Sequence, residues 1–170
     1  MNRKLRNIFL IPAAFSISLL SVPAYAASAD SNTYMTSQAA YKVASAEARV
    51  AEASGDFVTA FNNNDAATLA KFYKRVSVLK LPGAPAVYGK QAIEATWQGG
   101  FDQGITGVTL SISQIDQIAK RKVLENGTFV LDINTPNGLI QQEGTYSVMW
   151  HVPRSPNKRP KIIFDTIDAN

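Results

Sequence analysis

The chain has 170 residues, with 17 Lys+Arg against 13 Asp+Glu, one His and no Cys. The lack of cysteine excludes disulfides, thiolate metal sites, lipobox acylation and cysteine nucleophiles. The single His151 excludes a multi-histidine zinc site and any catalytic triad that needs a second histidine.

The basic surplus does not point to nucleic acid. Arg3, Lys4 and Arg6 lie in the first 26 residues, where there is no acid, so the rest carries 14 basic against 13 acidic residues. Those first residues read as a secretory signal peptide. The three cations form a basic start, and Ile8 to Val22 is apolar and uncharged. Ala24-Tyr25-Ala26 then offers small residues where a signal peptidase reads. The apolar run falls short of the ~20 residues of a membrane span and is interrupted by Pro12. Cleavage is expected after Ala26. The product would be periplasmic or secreted, without stable membrane insertion, and long enough for one domain with its own core.

Residues 27–35 are small and polar and read as a flexible leader, so the folded domain is expected over 36–170. Thr36 or Ser37 is a candidate cap for a helix from Gln38 to Asn62. Its apolar face is Tyr41, Ala44, Ala48, Ala51, Phe57, Val58 and Phe61. Gly55 costs about 1 kcal/mol relative to Ala and is the place where this helix would break in two. Asn62-Asn63-Asn64 ends it, and Asp65 caps a short helix from Ala66 to Phe72. Val76, Val78 and Leu81 begin a strand, and the Leu81–Pro85 segment must turn. Gly89 leads into a helix with Ile93 and Trp97 on one side, weakened by Gly99 and Gly100 and stopped at Gly104.

Strands fill the remainder: Val108 to Ile118, Leu124 to Ile133, Leu139 to Val152, and Lys161 to Ile167. Turns are expected at Lys120-Arg121, at Thr135 to Gly138 and at Pro153 to Pro160. Helices first and strands later indicate an α+β fold. Asn126-Gly127 between apolar residues is, taken alone, a hairpin signal.

The helix, Asn run, short helix, strand, Pro/Gly turn and helix between Gly55 and Trp97 form an ordered pattern. It is followed by Glu125-x-Gly127-x-Phe129, by Gly144-x-Tyr146-x-x-x-Trp150, and by a closing strand carrying Asp165. This order resembles the nuclear transport factor 2-like superfamily, specifically its SnoaL-like branch, over residues 45–168. Ile167 and Asp168 stand where the closing strand of that branch has an aromatic residue and Asn. The resemblance implies a cone: N-terminal helices packed on a strongly curved antiparallel sheet, with one pocket inside. It also favours a continuous strand through Asn126-Gly127, from Lys122 to Ile133, with Gly127 as a bulge or bend. It implies no single activity, because the fold hosts many.

In such a cone Tyr73, Trp97, Phe129, Tyr146 and Trp150 fall on pocket-lining elements and are candidate ligand-binding residues. Glu125 shares a face with Phe129 and joins them, whereas Asp132 points the other way. Asp165 alternates with Ile163 and Ile167 and is the candidate catalytic acid or base. Desolvation on an apolar face would raise its pKa. In ketosteroid isomerase, which this chain resembles in architecture only, three groups carry the chemistry: a tyrosine, a base and an acidic oxyanion donor. Their places fall at Phe57, at Lys80 or Leu81, and near Val148, and none of these residues fills the role. His151 and the outward residues Thr145, Ser147 and Met149 suit a surface or a dimer interface. The basic groups Lys71-Lys74-Arg75, Lys120-Arg121-Lys122 and Arg154 to Lys161 suit solvated turns, or an anion patch if they converge.

The leading expectation is an exported pocket protein for a small, mostly apolar molecule, with a general acid/base step open to Asp165. It needs no cofactor or metal and forms a homodimer. The rival is a structural or protein-interaction module of the cell envelope. An isomerase or dehydratase of the ketosteroid isomerase type comes third.

Overall fold

The computed structural model describes residues 31–169, and their side chains from Ala46 onward. The segment read as a signal peptide and the start of the expected leader lie outside the described residues. Helix α1 spans Ser31–Asn62, α2 Ala66–Phe72 and α3 Lys90–Asp102. The strands are β1 Tyr73–Lys80, β2 Val87–Tyr88, β3 Ile105–Ala119, β4 Lys122–Thr135, β5 Gly138–His151 and β6 Lys161–Ala169.

Helix α1 starts ahead of Thr36 and does not break at Gly55. Gly55 is exposed and nothing packs over it. Its cost of about 1 kcal/mol is outweighed by burial of Val50, Ala53 and Phe61 on either side. The α1–α2 corner forms as the sequence indicates. Asn64 takes a left-handed backbone (φ 54), and Asp65 Oδ1 accepts the Thr68 N–H at 2.8 Å to cap α2. Ile93 and Trp97 are both buried on the inner side of α3, and Gly104 (φ 104) follows its end.

The six strands form one curved, unclosed sheet in the order β2-β1-β6-β5-β4-β3. Every neighbouring pair is antiparallel except β1 and β6, which run parallel, so the sheet is mixed. The two-residue β2 has no alternating pattern of its own and is held by pairing with Val78 and Leu79.

Strand β4 is continuous through Asn126-Gly127, but Gly127 is not its bulge. Pairing with β5 is unbroken from Lys122↔His151 to Thr135↔Gly138. The irregularity lies opposite, on β3, between Ile112 and Gln114. Gly127 is required for a different reason. A Cβ there would fall on the Ser111 carbonyl and lie 2.7 Å from the Tyr146 ring. Gly144 repeats the device, since its Cβ would fall on the Asp168 carbonyl and 2.6 Å from the Phe129 ring. In register, Gly127 faces Tyr146 and Gly144 faces Phe129. Each glycine thus gives up its side-chain space to the aromatic ring across the ladder.

A second irregularity sits between Met149 and Trp150, so that Met149 pairs with Phe164 and Trp150 with Ile162. It corrects the expected alternation of Asp165 with Ile163. Ile162 is buried on the inner face with Asp165, while Ile163 is left half-buried.

Substitutions Gly127→Ala and Gly144→Ala are each expected to cost about 1–3 kcal/mol, read as a lower urea midpoint. Gly99→Ala, in a helix with open space around it, should instead stabilise by about 0.4–1 kcal/mol.

Candidate functional site

The sheet register builds the site. Glu125 on β4 pairs with Val148 on β5, and Val148 pairs with Asp165 on β6. The two carboxylates therefore share one row and one face, two strands apart, with backbones about 10 Å from each other.

Glu125 is fully buried. Its Oε1 accepts from the Ser54 hydroxyl at 2.8 Å and the Tyr146 hydroxyl at 2.9 Å, and its Oε2 accepts from the Trp150 indole N–H at 2.9 Å. Burial pushes its pKa up, and the three donors pull it back. The sequence placed Glu125 on the right face but as a ligand contact. Its oxygens are instead taken up by protein donors, so it organises the wall more than it presents itself to a guest.

Asp165 is 4% exposed and has one donor. Its Oδ2 accepts from the Tyr73 hydroxyl at 2.6 Å, and the Tyr73 oxygen accepts the Trp97 indole N–H at 3.3 Å. Oδ1 takes no hydrogen bond from a described residue. Among the described residues no sealed side-chain polar atom lacks a partner, so Oδ1 opens on the cavity that Asp165 lines. Burial raises its pKa, the Tyr73 hydrogen bond lowers it and the nearby Glu125 raises it, which leaves it at about 7. Burial and the neighbouring Asp165 push Tyr73 well above its ordinary value, so it remains a donor.

The cavity has a volume of about 150 Å³. Phe57, Phe61, Trp97, Leu110, Phe129 and Val148 give it apolar walls, and the exposed Pro82 and Gln142 place its opening at one end of β5. An apolar cavity of this size takes a molecule of about one aromatic ring. Edge-on packing of Phe61 against Trp97 and Phe101, at 5.4 and 5.1 Å between ring centroids, fixes the helix side of the wall.

Of the residues singled out in the sequence, Trp97, Glu125, Phe129, Tyr146, Trp150 and Asp165 meet at this cavity. Tyr73 does not line it. As the first residue of β1, it donates to Asp165 and holds it. Phe57, Leu81 and Val148, at the steroid-isomerase positions, line the cavity and none can carry a proton. Lys80 is exposed. The sequence placed Phe61 on the apolar face of α1 without assigning it to the pocket, and it passed over Ser54. The spacing Ser54, Phe57, Phe61 along α1 is the signal that one helical face enters the pocket. Thr145, Ser147, Met149 and His151 occupy the outer face of β5, as expected from the inward Tyr146, Val148 and Trp150.

In sequence the chain matches no protein-family profile and no curated protein. Its fold is shared with solved structures. A ketosteroid isomerase-like protein from Erwinia carotovora atroseptica SCRI1043 aligns with a TM-score of 0.64 at 16% identity, over 72% of this chain and 95% of that chain. A nuclear transport factor 2-like superfamily protein from Salmonella enterica serovar Typhimurium gives 0.62 at 12% identity, over 74% and 92%. A protein from Catenulispora acidiphila in complex with S-DNPA gives 0.59 at 12% identity, over 72% and 91%. The fold is thus the nuclear transport factor 2-like α+β cone that the motifs indicated. At these identities the likeness is one of fold.

The two acids set the pH response of stability. In the unfolded chain an aspartate titrates near about 3.9. Between there and pH 7 the native state holds a proton on Asp165 that the unfolded state has lost, so stability falls as pH rises. Asp165→Asn should remove this contribution. Its unfolding free energy should exceed that of the parent above pH 7 by up to roughly 4 kcal/mol, seen as a higher thermal midpoint, with the gap closing toward pH 4. A slope of the same sign from Glu125 should remain. Glu125→Leu strands three buried donors and should cost about 3 kcal/mol or more in urea unfolding.

Proposed function

We propose that this chain binds a small, mostly apolar, ring-sized molecule in the cone and exchanges a proton with it through Asp165. The observation that carries the reading is a buried carboxyl on the wall of a mostly apolar cavity, whose Oδ1 is bonded to no described residue and whose pKa is about 7. An acid of that strength is half protonated at neutral pH. It can donate to a ligand oxygen or accept from a C–H or O–H, while Tyr73 stabilises the ionised form through Oδ2. Glu125 stays tied to its donors and raises the affinity of Asp165 for its proton. The reading includes export through the first 26 residues. It ranks above an interaction module because the cone encloses a cavity rather than being packed solid.

Both tryptophans of the chain line the cavity, so intrinsic fluorescence reports on its contents. Cyclohexanone, which only accepts hydrogen bonds, should quench or shift this fluorescence on binding. Its affinity should fall as pH rises through about 7, where Asp165 loses its proton. Asp165→Asn should flatten that pH dependence. Native mass spectrometry of protein purified from its own envelope identifies the natural occupant, and Asp165→Asn should lower any turnover of it by about 10²-fold or more. A pH-independent response in the parent protein, or turnover that survives Asp165→Asn, would show that Asp165 has no such role.

A further inference from the structure

The end of β5 that carries His151 lies away from the cone's opening. There the chain forms a second recess of about 750 Å³. Three separated stretches of sequence converge on it. Lys74 comes from β1, Arg121 from the β3–β4 turn, and Arg154, Lys158, Arg159 and Lys161 from the β5–β6 connection and the start of β6. His151 completes the lining, and among the described residues no carboxylate belongs to it. Among the described residues, the only salt bridge made by these cations joins Arg159 to Asp56, at 3.0 Å.

We propose that this recess binds a phosphate-type oxyanion, carried either by a small soluble molecule or by a lipid headgroup.

Three features support a built site rather than a scatter of solvated charge. First, the β5–β6 connection is held in shape. Arg49 reaches across from α1 and donates to the carbonyls of Pro153 at 3.0 Å, Ser155 at 3.1 Å and Lys158 at 2.5 Å. Val152 N–H bonds the Arg121 carbonyl at 2.9 Å, which fixes that arginine's turn to the same frame. Lys161 Nζ bonds the Lys71 carbonyl and keeps two further donors. Second, the cations repel one another. Burial and then Lys74 and Arg121 depress the pKa of His151, while burial and then Lys90 and Arg159 depress that of Lys161. An anion would relieve this repulsion. Third, the shape is concave, and arginine forks beside lysine points suit the oxygens of a tetrahedral anion. The volume exceeds one phosphate and leaves room for the group that carries it.

The test uses inorganic tripolyphosphate as the soluble probe and mixed phosphatidylglycerol–phosphatidylcholine vesicles as the headgroup probe. Calorimetry and vesicle sedimentation, each at low and high salt, are run on three proteins: the parent, Lys74→Gln/Arg121→Gln/Arg154→Gln, and Arg75→Gln/Lys80→Gln/Lys122→Gln. The last loses the same charge outside the recess. At least one probe should bind the parent and weaken by roughly tenfold or more in the recess variant only. Tripolyphosphate binding assigns a soluble ligand, and vesicle binding alone assigns a headgroup. The single histidine gives a second readout. Bound tripolyphosphate should raise the His151 titration midpoint followed by its ring proton resonance. Failure of both probes to bind, or equal weakening in the two variants, overturns the proposal.

Discussion

Taking an ionised carboxylate out of water costs several kcal/mol unless donors replace the solvent, and this chain buries two on a single row of its sheet. Much of the surrounding architecture supplies those donors. Glu125 draws them from α1 through Ser54 and from β5 through Tyr146 and Trp150. One buried group thereby fastens the long helix to the sheet and fixes two large aromatic rings. Asp165 receives a single donor from Tyr73, at the point where α2 passes into β1. The unequal supply gives the two acids different character. The well-served one is structural, and the poorly served one keeps a free oxygen and a pKa raised to about 7.

The glycines follow from the same requirement. Tyr146 can reach Glu125 only if its ring lies across β4, where Gly127 leaves the space. Phe129 lies across β5 in the space that Gly144 leaves. These two rings and the Phe57–Phe61–Trp97 cluster face one another over the acid row, so the cavity is the volume that rigid aromatic edges fail to fill. A pocket defined by rings on opposite layers keeps its shape without a ligand, which suits a site that must hold a proton donor in place.

Local signals were legible in the sequence. Asp65 as a cap and Ile93 with Trp97 on one helical face arise from contacts within a few residues or from a simple period, whereas the uninterrupted β4 ran against the local hairpin signal at Asn126-Gly127 and was favoured by the family resemblance alone. What escaped depends on partners far along the chain. The irregularity beside Trp150 is a mismatch between β5 and β6, so neither strand shows alone that Ile162 rather than Ile163 turns inward. Glu125 looked like a ligand-binding carboxylate because its donors lie 71, 21 and 25 positions away. Tyr73 was assigned to the wall by the resemblance alone; its strand begins directly after α2, where alternation gives no bearing on direction. The basic groups were visible as three clusters, but only the fold brings them to one recess.

Strand β5 joins two environments of opposite character. Its inward residues pass the acid row, and its last residue faces the cations. If the field of those cations reached Asp165 it would favour the carboxylate and pull the pKa down, leaving the acid ionised at neutral pH. No cation contributes to its shift; burial, Tyr73 and Glu125 account for it. Trp150, Val152 and Ile162, the sequence neighbours of the recess residues His151, Pro153 and Lys161, are all buried, and Trp150 and Ile162 belong to the cavity wall. The proton affinity of Asp165 is thus set inside the cone. An anion arriving at the basic end would alter His151 and Lys161 without disarming the acid at the other.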